Sequence, residues 1–145
     1  MFWCPNFTHF NAHFFNPHSW TGRISHSTGQ TYQGEFWHGY RHGHGTLTGA
    51  KGYSYTGGWK MGQRHGSGSM TLGSALYEGD YRHDLRHGYG VSRSETGFYE
   101  GQWENGKMHG HGKRVSQHGM VYIGEWRGSR RHGKGSITFS DGSHF

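Results

Sequence analysis

The chain has 145 residues, of which 30% are hydrophobic and 28 are glycine, so it is too poor in aliphatic side chains to build a thick hydrophobic core. Fifteen Lys and Arg side chains against nine acidic ones give a net charge of +6, which favours anionic partners without requiring them. The single cysteine, Cys4, excludes an internal disulfide framework. No stretch approaches about 18 apolar residues, so the sequence predicts no transmembrane helix.

Residues 1–17 are rich in aromatic side chains and carry no charged one. Pro5 and several polar residues interrupt any continuous apolar core, so the segment does not have the pattern of a secretory signal. We expect a flexible or end-capping segment that covers the first open strand. Two alternatives are a docking segment whose Phe10, Phe14 and Phe15 insert into a partner, and an artefact at the start of the sequence.

Residues 18–31 have the pattern of the second half of a degenerate repeat. Gly22 and Ile24 stand where the later copies of the repeat have a glycine and an apolar residue. We therefore expect ordered repeat structure to begin near His18.

Five complete copies of one unit fill residues 32–144. Counting from a tyrosine as position 0, every copy has Gly at +2, an aromatic residue at +4, His-Gly at +10 and +11, and Gly at +13. The period of 22 or 23 residues is typical of a repeat architecture. The five copies cover residues 32–54, 55–76, 77–98, 99–121 and 122–144. Phe145 then falls in the tyrosine position of a sixth, incomplete copy.

The spacing within each copy predicts a β-hairpin. Positions 0, +2 and +4 share one face of a first strand, and +11, +13 and +15 share one face of a second, because side chains alternate along a strand. Glycine within a strand indicates that a bulky group approaches the backbone, here an aromatic ring of the neighbouring strand. Glycine is usual at +7 but gives way to Asp84 and Ser129, so the turn is expected to be less constrained than the strands. The predicted fold is all-β, an elongated, single-layer, open array of antiparallel hairpins about 50 Å long.

This pattern resembles the MORN repeat (membrane occupation and recognition nexus), whose consensus is Y-x-G-x-W-x-x-G-x-x-H-G-x-G. The resemblance covers Tyr32 to about Phe145. It implies a twisted single-layer sheet of successive hairpins with an aromatic-lined groove, serving as a scaffold or a targeting module. Ser92 and Arg114 replace the apolar residue at +15 in the third and fourth copies, so we expect the groove to be more polar there.

The first candidate site is the predicted aromatic groove. Aromatic side chains are common anchors in binding surfaces, and a groove of this length exceeds what packing alone requires. We expect it to bind a partner peptide or another copy of the chain. Its predicted residues are the aromatic ones at positions 0 and +4: Tyr32, Phe36, Tyr55, Trp59, Tyr77, Tyr81, Tyr99, Trp103, Tyr122 and Trp126.

The second candidate site is an edge of arginines at position +9, directly before each His-Gly pair. One interpretation is solubility and protection of the sheet edge by cations. The other is binding of acidic phospholipid headgroups or an acidic peptide, because arginine presents a planar fork to phosphate and carboxylate. Met108 occupies +9 in the fourth copy, and the arginines of the other four are Arg41, Arg64, Arg86 and Arg131.

The sequence predicts no catalytic centre, metal site or cofactor. The +10 histidines recur about 10 Å apart, too far to share one metal ion, and are expected to brace the hairpin turns. Acidic residues such as Glu35, Asp80 and Glu125 fall on the face opposite the aromatic side chains and are expected to be solvated. Nucleic acid is not expected as a partner, because base stacking would need rings that are here committed to the array.

Two functional hypotheses follow. The chain is a non-enzymatic scaffold or anchor that binds a protein through the aromatic groove, or a peripheral membrane module that binds acidic phospholipids through the arginine edge. A third alternative is the targeting region of a larger enzyme. The expected location is intracellular: cytoplasmic, cytoskeletal or ciliary, or at the inner membrane surface.

Overall fold

The described residues form one open antiparallel sheet of twelve strands. The computed structural model describes residues 7–14 and 18–145, and the first segment mainly as backbone. Each strand pairs with its neighbours in the chain, so strand order in the sheet equals sequence order. The strands are β1 Phe7–Phe14, β2 Ser19–His26, β3 Thr31–Trp37, β4 Tyr40–Thr48, β5 Ser54–Lys60, β6 Gln63–Leu72, β7 Ala75–Arg82, β8 Leu85–Ser94, β9 Gly97–Glu104, β10 Lys107–Ser116, β11 Val121–Arg127 and β12 Arg130–Thr138.

This architecture confirms the predicted fold class. With strands about 4.8 Å apart, twelve of them extend the sheet to about 50 Å. A single short 3-10 turn, Ala50–Gly52, interrupts the strands of the described residues. Within this described part, no helix has the length and apolarity needed to cross a membrane.

Each complete hairpin closes with a two-residue type I′ turn at +6 and +7. In the first copy Trp37 pairs with Tyr40, and the intervening His38 and Gly39 have φ of 49° and 82°. This conformation matches the right-handed twist of the strands that it joins. The other four turns are Met61-Gly62, His83-Asp84, Asn105-Gly106 and Gly128-Ser129.

The turn keeps its conformation where glycine is absent at +7. Asp84 and Ser129 have φ of 66° and 65°, in the left-handed region that the glycines of the other copies also occupy. The residue type at +7 thus varies while the backbone conformation of the turn stays the same. Hydrogen bonds to the preceding repeat, described below, hold both residues there.

The His-Gly pair marks a β-bulge in the second strand of each repeat. Regular pairing of β3 with β4 is interrupted after Gly34, which faces Gly45. The glycine at +11 lies in the bulge with φ between 54° and 73°, a conformation that disfavours any residue with a β-carbon. These glycines are Gly43, Gly66, Gly88, Gly110 and Gly133.

Strand register arranges the repeat positions in rows across the sheet. One row alternates position 0 with position +15 and runs Ile24, Tyr32, Leu47, Tyr55, Met70, Tyr77, Ser92, Tyr99, Arg114, Tyr122 and Ile137. The adjacent row on the same face contains only glycine, at positions +2 and +13. We call this side of the sheet the aromatic face.

The glycine row gives the rings room to pack against the sheet. A β-carbon at Gly45 would overlap the side chain of Tyr32, which lies over it, and the +13 glycines of the other four copies stand in the same relation to their tyrosines. The prediction that the strand glycines admit an aromatic ring from the neighbouring strand is thereby confirmed. The buried core consists of the ten aromatic residues at positions 0 and +4 together with Met108.

Short pairings extend both ends of this repeat sheet. At one end β1 pairs with β2, from Phe14 opposite Trp20 to Phe7 opposite His26, so part of residues 1–17 adds an edge strand. The docking alternative for Phe10, Phe14 and Phe15 concerns side chains outside those that the structure describes. At the other end Ile137 and Phe145 exchange two backbone hydrogen bonds of 2.9 Å.

Candidate functional site

Ten aromatic rings form one unbroken chain along the aromatic face. Tyr32 meets Phe36 of its own strand and Trp59 of the next repeat edge-on, with ring centroids 5.0 and 5.3 Å apart. The same contacts continue to Tyr122 and Trp126, at centroid distances up to 5.5 Å and interplanar angles of 81° to 90°. Edge-to-face packing of this kind is the arrangement that aromatic rings prefer.

The polar atoms of these rings are bonded within the sheet, except the Tyr81 hydroxyl, which is buried without a hydrogen-bond partner. Every tyrosine at position 0 donates a hydrogen bond from its hydroxyl to the carbonyl of residue +3, at 2.9 to 3.1 Å. Three indoles donate to the +13 glycine carbonyl of the preceding repeat, as Trp59 does to Gly45 at 3.0 Å. Burial raises the pKa of the Tyr99 hydroxyl to about 12.

The predicted groove residues form the core of the sheet. Each of the ten rings has an exposed fraction of 6% or less, and Tyr55 has none. A partner on this face would therefore contact the side chains that flank the rings, with the rings as the layer beneath. Those flanking side chains include the apolar +15 residues, such as Leu47 and Met70, which pack partly buried against the core.

Three of the +9 arginines clamp consecutive repeats together. The guanidinium of Arg41 lies 5.8 Å from the ring centre of Tyr32 in its own repeat and 4.3 Å from that of Trp59 in the next. It also donates a hydrogen bond to the carbonyl of Gly62 in the next turn, at 3.1 Å. Arg64 and Arg86 repeat both contacts, so their charges are shared with rings and turn carbonyls.

The structure therefore places the predicted arginine edge on the aromatic face. Arg41, Arg64 and Arg86 are half-buried there, whereas Arg131 of the last hairpin is exposed and stacks only on Tyr122, at 5.7 Å. Met108, the exception at +9, is 9% exposed and belongs to the core. The arginines at +9 therefore do not form a row of four exposed cations.

Consecutive tight turns are joined by a second set of bonds that the sequence analysis missed. The N–H of residue +7 donates to the +9 carbonyl of the preceding repeat, as Gly62 does to Arg41 at 2.8 Å. Where +7 is not glycine, its side chain accepts in return. The carboxylate of Asp84 accepts from the N–H and the Nε of Arg64, both at 3.0 Å, and the Ser129 hydroxyl from the N–H of Met108 at 3.2 Å.

The acidic residues at +3 have a structural role that the prediction of a solvated face did not include. The carboxylate of Glu35 accepts a hydrogen bond from the N–H of His44 at the bulge, at 2.7 Å. The carboxylates of Asp80 and Glu125 do the same in their own copies, and in the fourth copy the side-chain amide oxygen of Gln102 accepts this bond. These side chains satisfy a backbone donor that the interrupted ladder leaves without a partner.

The histidines do not converge on a metal site in the described part of the chain. No three side chains of His, Cys, Asp or Glu come together there. Nδ1 of His65 and of His87 is buried without a hydrogen-bond partner. Loss of hydration lowers the pKa of His65, and the nearby positive charge of Lys60 lowers it further.

A family model for the MORN repeat matches five segments of the sequence. They span residues 32–52, 55–74, 77–97, 99–120 and 122–144, well over half of the chain, and each begins at one of the five tyrosines. The chain belongs to the MORN repeat family. MORN repeats are generally non-enzymatic modules that interact with proteins or membrane lipids. Comparison with curated proteins gave no match.

The aromatic face of this MORN array changes between the third and fourth copies. Between the third and fourth copies a groove of about 200 Å³ opens above Tyr99 and Trp103, with Ser92 and Arg114 beside it. Ser94, at the end of β8, and Thr96, in the turn that joins the copies, also line it. Loss of the apolar residue at +15 was the sequence signal for this groove, whereas the loop residues carried no signal.

Proposed function

We propose that this MORN array is a non-enzymatic scaffold that binds an extended partner peptide, or a second copy of the chain, along its aromatic face. The observation that carries the proposal is that this face has no second layer. Among the described residues every strand belongs to the one sheet, so no element covers the side chains above the rings. A sheet with one apolar face is normally buried against another element.

The surface offered to a partner is mixed in character. Leu47, Met70 and Ile137 present partly buried apolar side chains, and Arg41, Arg64 and Arg86 present guanidinium groups beside them. Interlocked rings and turns fix these groups in place before binding, which lowers the entropic cost of association. Such a scaffold would act in the cytoplasm, on cytoskeletal or ciliary structures, or at the inner membrane surface.

Selection of binders from a random peptide library tests this function. Selected peptides are expected to bind the wild-type chain, and to bind the Met70→Lys variant with at least tenfold lower affinity. The reason is that this substitution places a charged side chain among the apolar ones above the rings. Ile123→Lys is the matched control, because Ile123 is 54% exposed and lies on the opposite face. Thermal denaturation checks that both variants fold.

Three outcomes are informative. Binding abolished by Ile123→Lys and not by Met70→Lys would place the partner on the wrong face and overturn the proposal. Recovery of no peptide, with self-association in analytical ultracentrifugation that Met70→Lys abolishes, would select a second copy as the occupant. If no peptide is recovered and the chain does not self-associate, the proposed scaffold function is refuted. Trp103→Ala is unsuitable as a surface variant, because Trp103 is only 6% exposed and its indole is bonded to Gly90.

A second candidate, binding of acidic phospholipid, is favoured by one observation on the last hairpin. Four cations of β11 and β12 are exposed there: Arg127, Arg130, Arg131 and Lys134. Sedimentation with phosphatidylserine vesicles is expected to fall steeply with salt if these residues bind the headgroups. Unchanged sedimentation of a variant with Arg130→Glu and Arg131→Glu would remove this candidate.

A further inference from the structure

The repeat symmetry of the aromatic face fails at two neighbouring positions. At +15 the other copies carry Ile24, Leu47, Met70 or Ile137, each packed partly buried against the ring core. The third and fourth copies carry Ser92 and Arg114 instead. Strand register places these two on either side of Tyr99, as its direct neighbours on β8 and β10.

This double exchange opens the groove. A serine is too small to replace a leucine or methionine above the rings, and Arg114 is half-buried at the side of the space. The groove of about 200 Å³ has Tyr99, Trp103 and Met108 in its lining, all 9% exposed or less. A side chain that enters it would therefore meet aromatic rings at the base and the polar groups of Ser92 and Arg114 at the sides.

The groove carries positive charge without a compensating acid. Arg86 and Arg114 line it, and no Asp or Glu does. Within the described residues the ion pairs are Arg64 with Asp84 and His109 with Glu104, so Arg114 has no carboxylate partner. Arg86 is already stacked on two rings and bonded to a turn carbonyl, whereas the guanidinium of Arg114 has no hydrogen bond to any part of the chain that the structure describes.

We propose that this groove is a binding site for the carboxylate of an Asp or Glu side chain in the partner peptide. The inference rests on the proposed function, because it assumes a peptide along the aromatic face. One uncommitted guanidinium fits one carboxylate, whose two oxygens match the planar fork of arginine. The negative charge of the carboxylate is favoured by the two arginines that line the groove and by the net charge of +6.

Hydroxyl groups at the loop end complete the site. Ser92 and Arg114 lie on opposite sides of Tyr99, on the two strands that flank it. The hydroxyls of Ser94 and Thr96, which also line the groove, are 2.9 Å apart. A bound carboxylate accepts from the guanidinium of Arg114, and a neighbouring backbone or hydroxyl group of the peptide bonds to these side chains. The site thus selects the residue that the peptide presents between the third and fourth copies.

The test is an NMR titration of the purified full chain with two matched peptides, acetyl-Gly-Ser-Thr-Glu-Ser-Thr-Gly-amide and the same peptide with Gln in place of Glu. The Glu peptide is expected to give saturable shifts at the amides of Ser92, Ser94, Thr96 and Arg114, with at least fivefold higher affinity than the Gln peptide. Inorganic phosphate is titrated in parallel.

Two variants restore the residue that other copies carry, so they are expected to fold. Arg114→Ile introduces the residue that the fifth copy has at +15, Ile137, and Ser92→Leu introduces the residue of the first copy, Leu47. Each is expected to weaken binding of the Glu peptide at least tenfold. Lys113→Ile is the matched control for the loss of one charge, because Lys113 is exposed and is the strand neighbour of Arg114 on the opposite face. It is expected to leave the affinity unchanged.

Several results would overturn the inference. They are absence of saturable shifts, equal affinity for the Glu and Gln peptides, full binding by Arg114→Ile, and tighter binding of inorganic phosphate than of the Glu peptide. If the Glu peptide does not bind but the library selection yields binders, the acidic specificity is refuted and the scaffold function remains supported. If the library selection yields no binder but the Glu peptide binds, the groove is a site for a single acidic group, and the function as a scaffold for an extended peptide is refuted.

Discussion

The guanidinium of Arg86 lies 4.2 Å from the ring centre of Trp103, in the repeat that follows. The same group lies 5.4 Å from the ring of Tyr77 in its own repeat. Residue +9 is thus a contact between two repeats in these copies, and in the fourth copy the uncharged Met108 holds this position as part of the buried core. In a stacked array such nearest-neighbour contacts largely set the stability and cooperativity of the whole.

Replacement of Arg86 should show how much of this contact is packing and how much is charge. Arg86→Ala is expected to lower the free energy of unfolding by about 1–2 kcal/mol, because the cation–π contact and the covering of two rings are lost. Arg86→Met is expected to cost less than half of that, since methionine already serves at position 108. Urea denaturation followed by tryptophan fluorescence measures both. Equal losses in the two variants would mean that charge, not coverage, stabilises the contact.

The glycines beneath the rings should not tolerate a methyl group. A β-carbon at Gly68 would overlap Tyr55, which is fully buried, so Gly68→Ala is expected to lower the free energy of unfolding by about 2 kcal/mol or more. Gly49→Ala is the control, because its backbone is extended with φ of −154° and a methyl group there meets ordinary contacts with Tyr53. Thermal denaturation of both variants checks the prediction, and similar losses would contradict it.

Alkaline pH should destabilise the array through its buried tyrosines. Burial raises the pKa of Tyr99 to about 12, whereas a tyrosine in the unfolded chain has a pKa of about 10. The folded state therefore holds this proton more tightly, and the resulting stabilisation is full below pH 10 and is lost as the pH rises from about 10 to 12. Tyr99→Phe is expected to make this fall less steep. Urea denaturation at pH 9, 10 and 11 measures the slope, and equal slopes would refute the assignment.

The tight turn of the third copy depends on the side chain of Asp84 at +7, where the first, second and fourth copies have glycine. Asp84→Ala is expected to lower the free energy of unfolding by about 2 kcal/mol, because it removes both bonds from Arg64 to the carboxylate and leaves a β-carbon at φ of 66°. Asp84→Gly loses the same bonds but relieves the backbone, so about half of that loss is expected. Chemical denaturation ranks the two, and a larger loss for the glycine variant would contradict the account.

Much of this molecule could be predicted from spacing alone. Tyrosine, glycine and an aromatic residue at 0, +2 and +4 must share a face, because side chains alternate along a strand, and this local rule fixed the hairpins and the aromatic face. The glycine at +11 was equally visible as a motif. The β-bulge that requires this glycine could not be predicted, because a bulge is defined by the pairing of two strands rather than by either one.

Contacts between repeats were beyond the reach of the sequence. Arg41 reads as one member of an exposed ladder until the register brings Trp59 and Gly62 of the next repeat against it. Within one repeat, Glu35 is exposed as expected, but the bulge also directs the N–H of His44 toward its carboxylate. The sequence by itself determined the elements and the face of each residue, since these depend on intervals within one strand. The tertiary structure alone decided which side chains are covered, because burial and bonding depend on the distance to residues that lie about twenty positions away along the chain.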